Sequence, residues 1–221
     1  MLRRVAAKLG RLDRRLVYLG GAVTQRLITD PAAPTPTATT DVDVVVDVTS
    51  RVEYLSTLHE ELRRLGAKED TSEGAPLCRW IVDTITTDIM PAAEDVLGFG
   101  NPWYSSAMAN AVAVQVGETE VLITDAPHFV ATKIAAFNDR GGGDFLGSKD
   151  VEDVIAVVDG RPELASEVNR AAAPLRSFVG TSFAEWLRSE TFRYAVEGYL
   201  RAEDDRVSVV LSRVSKIAQQ R

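Results

Sequence analysis

The sequence of 221 residues holds one cysteine, two histidines and no glycine loop of the G-x-x-x-x-G-K-[ST] kind. Each shortage excludes a chemistry. A lone cysteine, Cys78, cannot pair within the chain, which rules out an intrachain disulfide framework and fits a reducing cytoplasm. It lies in the largely apolar run Leu77 to Val82 and reads as a small buried hydrophobe rather than a nucleophile. His59 and His128 are far apart and have no cysteine to join them, so a zinc site is not expected. His128 follows Pro127 at a helix start and reads as a surface or satisfied residue. Without the phosphate-cradling loop a P-loop enzyme is disfavoured. No apolar run approaches the roughly 20 residues of a membrane span, and Met1 to Arg15 is basic without the apolar stretch of a secretory signal. A cytoplasmic protein without a membrane partner is the expectation.

Acid exceeds base, 32 residues to 25, for a formal charge of −7. That balance argues against broad nonspecific binding of nucleic acid. Basic residues gather at both ends, at Arg3, Arg4, Lys8, Arg11, Arg14 and Arg15, and at Arg213, Lys216 and Arg221. Both groups read as solvated helix faces, although a local patch for an acidic partner is compatible with them.

Hydrophobic patterning predicts a basic amphipathic helix over Arg3 to Arg14, a short strand over Leu16 to Leu19, a glycine turn, and a helix over Ala22 to Ile28. The Pro, Thr and Ala stretch from Asp30 to Thr40 has no face to bury and reads as a loop. Asp41 to Val48, DVDVVVDV, is the clearest strand. Ser50 and Glu53 form a capping-box pair for a helix that runs to Arg64 and ends at Gly66. Strands follow near Cys78 to Val82 and Ile85 to Met90. Gly98, Gly100, Trp103 and Tyr104 suggest a loop whose aromatic residues could stack a base, with core packing the favoured role. A hairpin joins Ala111 to Val116 and Glu120 to Ile123 through Gly117. Beyond Asp125 the pattern is helical, over Pro127 to Asn138, Lys149 to Val158, Pro162 to Ala172, Ser182 to Leu200 and Asp204 to Gln219. Gly141 to Gly143 interrupts it, as a loop or a lid hinge. Strands first and helices later mark an α+β protein, with residues 1–125 as a core and 126–221 as a helical part. No internal repeat is evident.

Residues two apart on a strand project to one side, so Asp41 and Asp43 point together while Val42 and Val44 enter a core. Two such carboxylates repel each other unless a cation lies between them. Magnesium takes oxygen ligands, often one or two carboxylates with substrate phosphates. Asp88 lies between β-formers on a later strand and supplies a third carboxylate. Asp83, its rival, reads as a turn residue, and Asp47, at the far end of the first strand, reads as structural. Three carboxylates on adjacent strands can hold metals for in-line phosphoryl transfer. Gly20-Gly21, between a strand and a helix, allows close approach of a phosphate to free N–H groups. Against this stands the ordinary use of carboxylates to solvate a strand edge and of paired glycines as a turn.

The stretches YLGGAVTQRL, TTDVDVVVDV, TTDIMPAAEDVLGFGNPWY and FVATKIAAFNDRGGGDFLGSKDVEDVIAVVDG resemble, in that order, the AbiEii/AbiGii-type nucleotidyltransferases. These belong to the polymerase-beta-type superfamily and include toxins of toxin–antitoxin pairs. The resemblance implies a mixed-sheet core flanked by helices, with a helical C-terminal part completing the active site. It implies that Gly20 and Gly21 line the triphosphate and that Asp41, Asp43 and Asp88 bind Mg2+, with Mn2+ as a substitute. Lys133 would contact nucleotide phosphates, Asp150 would complete the site, and Arg140, Lys149 and Asp153 belong to the same motif. The residues themselves leave other roles open: Lys133 can snorkel to solvent, and Asp150 can cap a helix.

The implied activity transfers a nucleoside monophosphate from an NTP such as ATP to a hydroxyl, the 3′ end of tRNA among the acceptors, with a cognate antitoxin as partner. A small molecule, a protein hydroxyl, or a catalytically silent domain binding nucleotide or a partner are the competing expectations. Three features depart from the pattern. Gly21 stands where serine is common, and the connection from Gly21 to Asp41 is long and proline-rich. Thr37, Thr39 and Thr40 occupy the region that often carries an arginine.

Overall fold

A computed structural model describes residues 1–201 and 204–220; Arg221, of the C-terminal basic group, lies outside them. The protein is α+β with a helical C-terminal part. Its helices are α1 (Leu2–Leu9), α2 (Thr24–Leu27), α3 (His59–Arg64), α4 (Tyr104–Ala109), α5 (Ala126–Arg140), α6 (Lys149–Gly160), α7 (Leu164–Arg170), α8 (Ala173–Trp186), α9 (Glu190–Tyr199) and α10 (Asp204–Ala218). Its strands are β1 (Leu16–Leu19), β2 (Asp41–Val46), β3 (Lys68–Glu69), β4 (Arg79–Val82), β5 (Ile85–Pro91), β6 (Val112–Val116) and β7 (Thr119–Ile123). None of the described helices is long and apolar enough to cross a membrane.

The chain divides into two compact units, Met1–Val23 with Thr37–Asp125, and Thr24–Pro36 with Ala126–Arg221. The segment Thr24–Pro36, expected with the first part, groups with the second. Its backbone finds partners there. The N–H groups of Thr29 and Asp30 both donate to the Gly160 carbonyl at 2.9 Å, and Arg161 donates to the Leu27 carbonyl at 2.7 Å. A proline-rich stretch cannot satisfy its own carbonyls, so a helix end that supplies donors and acceptors anchors it.

In the first unit, the sheet among the described residues has the order β3-β4-β5-β2-β1-β7-β6. It is mixed: β1 runs antiparallel to β2 and parallel to β7, while β2 runs parallel to β5. Alternation in β2 sends Val42, Val44 and Val46 into complete burial on one face. Each such side chain contributes about 1.5–3 kcal/mol through removal from water. β5 alternates likewise, burying Ile85, Thr87 and Ile89. This double alternation locks the β2–β5 register, because a slip of one residue would turn every valine outward.

Several expected boundaries shift for local reasons. The first helix ends at Leu9, not Arg14, because its buried stripe Leu2, Val5, Ala6 and Leu9 stops there. Arg14 is drawn instead into a bridge with Glu53 at 2.7 Å and Glu61 at 2.6 Å, and Arg15 donates to the Met108 carbonyl at 2.7 Å. These two are therefore not part of a solvated face. Ser50 accepts the Glu53 N–H at 3.2 Å, but the Glu53 carboxylate takes the Thr49 N–H at 2.8 Å rather than returning to Ser50. The helix begins as a π-helical stretch, Glu53–Leu58, before α3. The region around Trp103 contains a helix, α4, which the loop reading did not anticipate.

In the second unit, the expected helix Ser182 to Leu200 is two, α8 and α9, broken at Leu187 to Ser189. Phe137, Phe145, Trp186 and Phe192 pack ring to ring at centroid distances of 4.8 to 5.5 Å. Phe145 thereby pins the turn that follows Gly141 to Gly143, and the Tyr199 hydroxyl lies 2.9 Å from the Leu146 carbonyl oxygen. Arg213 donates to the Val158 carbonyl at 2.8 Å and so closes the end of α6. It too serves the fold rather than a free basic face.

Tyr54 ties the π-helical stretch to the sheet beside Asp88: it is fully buried, and its hydroxyl donates to the Ile89 carbonyl at 2.5 Å. Tyr54→Phe leaves that carbonyl short of a donor, and urea denaturation is expected to show a loss of about 1–3 kcal/mol.

Candidate functional site

The strand that carries Asp41 and Asp43 sets the site. In the parallel β2–β5 pair, Asp43 lies opposite Asp88, Asp41 opposite Thr86 and Val45 opposite Met90. Register partners on neighbouring strands share a face, and strands lie about 4.7–4.9 Å apart, so Asp43 and Asp88 project side by side. Further along the same face, Val45 packs with Val17, Leu19, Tyr104 and Met108, with Met90 against them. One end of this face is thus apolar and roofed by α4, and the other is acidic. Tyr104 has the packing role expected of it.

Each carboxylate is held. Asp88 accepts two hydrogen bonds from Arg79, Nε to Oδ1 at 2.8 Å and Nη2 to Oδ2 at 2.8 Å. Arg79 stands directly across the β4–β5 pair from Asp88. These bonds hold the guanidinium above its already high ordinary pKa, against the opposing effect of burial. The Thr39 hydroxyl donates to Asp41. Asp43 abuts the glycine turn: a Cβ on Gly20 would fall 1.8 Å from Asp43 Oδ2. Gly20 also has φ +70°, so both backbone conformation and close approach require glycine there. At Gly21 an added Cβ would come within 3.0 Å of the Thr39 Cβ, so the threonine fills the space a serine side chain would need. Asp83 sits in the β4–β5 turn with φ 48° and pairs with Arg4 at 2.7 Å, away from the register of the other carboxylates.

Among the described residues, no three Asp, Glu, His or Cys side chains, as they stand, are gathered to hold a metal ion. The donor chemistry of Asp41, Asp43 and Asp88 nevertheless fits a hard divalent cation. All three are carboxylates, two are in register, and the glycine turn brings backbone rather than a side chain against Asp43. Cys78 offers nothing to such a site: it is buried, and burial together with Asp88 pushes its thiol up to about 11. His59 and His128 are both buried, His59 with its ring edge against Tyr54 and Trp80. Of the two readings of His128, surface or satisfied, burial leaves the second.

The second unit contains a cluster of its own. Lys133 Nζ lies 2.9 Å from Asp150 Oδ1 and 2.7 Å from Asp153 Oδ2. Lys149 reaches Asp153 Oδ1 at 3.1 Å, and Arg140 reaches Asp150 at 3.4 Å from an exposed position. Lys133 neither snorkels nor stands free. Burial alone would lower its pKa, but Asp153 and Asp150 outweigh burial and raise it, so the ammonium stays charged. Asp150 is not the cap of α6, since Ser148 accepts the Val151 N–H in that role. Asp153, a peripheral member of the expected set, is almost fully buried at the centre of the cluster.

Arg79 was absent from the residues expected at the site. Its signal lay in the hairpin: a two-residue turn at Asp83-Thr84 sets Val82 opposite Ile85 and, three steps out, Arg79 opposite Asp88. No protein-family model matches the chain, and no curated protein matches it.

Gly20→Ala is expected to destabilise the first unit by at least about 1–2 kcal/mol from backbone conformation alone, and to lower the thermal midpoint in calorimetry. Lys133→Met leaves the buried Asp153 and the half-buried Asp150 short of a cation and is expected to cost about 3 kcal/mol in urea denaturation. Because the Lys133 pKa is raised above the ordinary lysine value of 10.5, its contribution is complete below that value. The contribution fades as pH climbs through the folded-state pKa. The difference in stability between wild type and Lys133→Met should therefore be constant from pH 7 to 9 and shrink in strong alkali.

Proposed function

We propose that this chain is a metal-dependent nucleotidyltransferase that moves a nucleoside monophosphate from an NTP to a hydroxyl acceptor. The observation that supports it most is the β2–β5 register, which sets Asp43 beside Asp88 with Asp41 two residues away and a glycine turn against Asp43. In this reading Asp41, Asp43 and Asp88 hold Mg2+ or Mn2+. Such a cation, when bound, neutralises charge on the triphosphate during transfer. In this reading the triphosphate lies against the N–H groups of the Gly20-Gly21 turn, which brings no side chain of its own, beside Asp43 and Thr39. A carboxylate oxygen of the trio takes the proton of the attacking hydroxyl. The acceptor oxygen bonds to the α-phosphorus, the bond from that phosphorus to the bridging oxygen breaks, and pyrophosphate leaves with the electron pair.

Lys133, Asp150 and Arg140 enter the proposal through the resemblance, as phosphate-contacting and site-completing residues. The acceptor rests on it as well. The 3′ end of tRNA is the acceptor of first choice, with growth inhibition as the consequence and an antitoxin as the partner. An acidic chain that binds tRNA must do so through local basic residues, with affinity that falls steeply as salt rises.

A second reading, a catalytically silent nucleotide-binding or partner-binding domain, is favoured by one observation: Arg79 engages both oxygens of Asp88. Incubation with each labelled NTP and separate pools of tRNA, protein and aminoglycoside distinguishes the two. The transferase reading requires label on one pool and stoichiometric pyrophosphate; nucleotide binding with no pyrophosphate from any pool supports the silent domain. Asp43→Asn keeps the size of the side chain and removes its charge. It is expected to lower transfer by about a thousandfold, as loss of several kcal/mol of charge stabilisation implies, with an unchanged far-ultraviolet spectrum. Undiminished transfer by that variant would sink the proposal.

A further inference from the structure

The structure leads us to infer that Arg79 is a positioning residue that occupies Asp88 in competition with a divalent cation, and so sets how tightly the carboxylate trio takes one. The inference rests on the nucleotidyltransferase reading of the same site, which does not itself assign Arg79 a part.

The geometry is that of a displaceable counter-ion. Arg79 uses its Nε and Nη2 on separate oxygens of Asp88, the planar fork that suits a carboxylate best. The pair arises from β-sheet register rather than from chance side-chain reach, since the two residues face each other across β4 and β5. The partners differ in exposure: the Arg79 side chain is 32% exposed and that of Asp88 14%. The guanidinium therefore has a path outward, whereas the carboxylate stays in place on its strand. An acid lies beside that path. Asp70 follows β3, its N–H donates to the Arg79 carbonyl at 3.0 Å, and its carboxylate accepts the Ser72 N–H at 3.0 Å.

The competition follows from charge. A guanidinium on both oxygens of Asp88 lowers the negative potential that draws a cation to Asp41, Asp43 and Asp88. A divalent ion that binds there must break two charge-assisted bonds or bind against a neighbouring positive charge. Hydrogen bonds to charged groups are worth about 1.5–3 kcal/mol, which corresponds to a factor of about ten or more in cation affinity. A purely structural Arg79 predicts the opposite sign: its removal would loosen β4 against β5 and weaken any site on Asp88.

Mn2+ binding, followed by the loss of the free-ion signal in electron paramagnetic resonance, tests this without any turnover. Full-length wild type, Arg79→Met, Arg79→Gln and Asp43→Asn are compared at fixed ionic strength, with circular dichroism to establish folding. Arg79→Met is expected to bind Mn2+ about tenfold more tightly than wild type, and Asp43→Asn to lose the site. Arg79→Gln, which can still donate hydrogen bonds but carries no charge, should also tighten binding, and it decides the matter if Arg79→Met does not fold. Equal or weaker binding by the folded Arg79 variants, with Mn2+ bound by wild type, overturns the inference and leaves the transferase reading standing. Absence of Mn2+ binding in wild type and in the Arg79 variants alike overturns both.

Discussion

Like charges set side by side on adjacent strands must be compensated, and the first unit is organised around that requirement. The β2–β5 register places Asp43 next to Asp88, with Asp41 on the same face. This arrangement is not a choice the polar residues make for themselves. It is imposed from the opposite face, where Val42, Val44, Val46 and Ile89 are wholly buried and tolerate no slip. Apolar burial thus performs electrostatic work, holding acids together that would separate if free. The neighbours of the acids answer the same requirement: Arg79 on Asp88, the Thr39 hydroxyl on Asp41, and a glycine where Asp43 leaves no room for a side chain.

Much of this was legible in the sequence because its cause is local. The strand Asp41–Val46, the hairpin through Gly117 and the glycine turn after Leu19 follow from alternation and from residues that permit unusual backbone. Gly20 and Gly117 do adopt positive φ. The turn reading of Asp83 also rested on local chemistry, and its φ of 48° agrees. What escaped depends on distant partners. Arg14, expected on the first helix, lies beyond its end and is held by Glu53 and Glu61, far along the chain. The helix Tyr104–Ala109 lies between glycines and aromatic residues that suggest a loop, and its fold is stabilised by burial of Tyr104 and Met108 against β1 and β2. The proline-rich segment gives no sign in its own composition that Gly160 will anchor it.

The candidate site divides the same way. Asp41 and Asp43 share a face by strand period alone, so a sequence suffices to pair them. That Asp88 joins them, rather than Asp83, depends on which residue of β5 falls opposite Asp43, a tertiary fact that β-propensity only hinted at. Arg79 is the instructive omission. Once the turn at Asp83-Thr84 is accepted, hairpin arithmetic puts Arg79 across from Asp88, yet a search confined to acids and glycines passes over it.

The two charged clusters meet one electrostatic problem with different groups. In the second unit Asp150 and Asp153 are met by Lys133, Lys149 and Arg140, and the acid of highest burial, Asp153, has two ammonium groups on its two oxygens. Such matching is what burial demands, because an uncompensated ion in a dry interior costs several kcal/mol. In the first unit Asp88 is met on both oxygens by the guanidinium of Arg79, its neighbour across β4 and β5. Asp41 accepts the Thr39 hydroxyl. The proposed cation rests on donor chemistry and register, with the acids at one end of a face whose other end is sealed by Tyr104 and Met108, and Arg79 is the group such a cation would have to contend with.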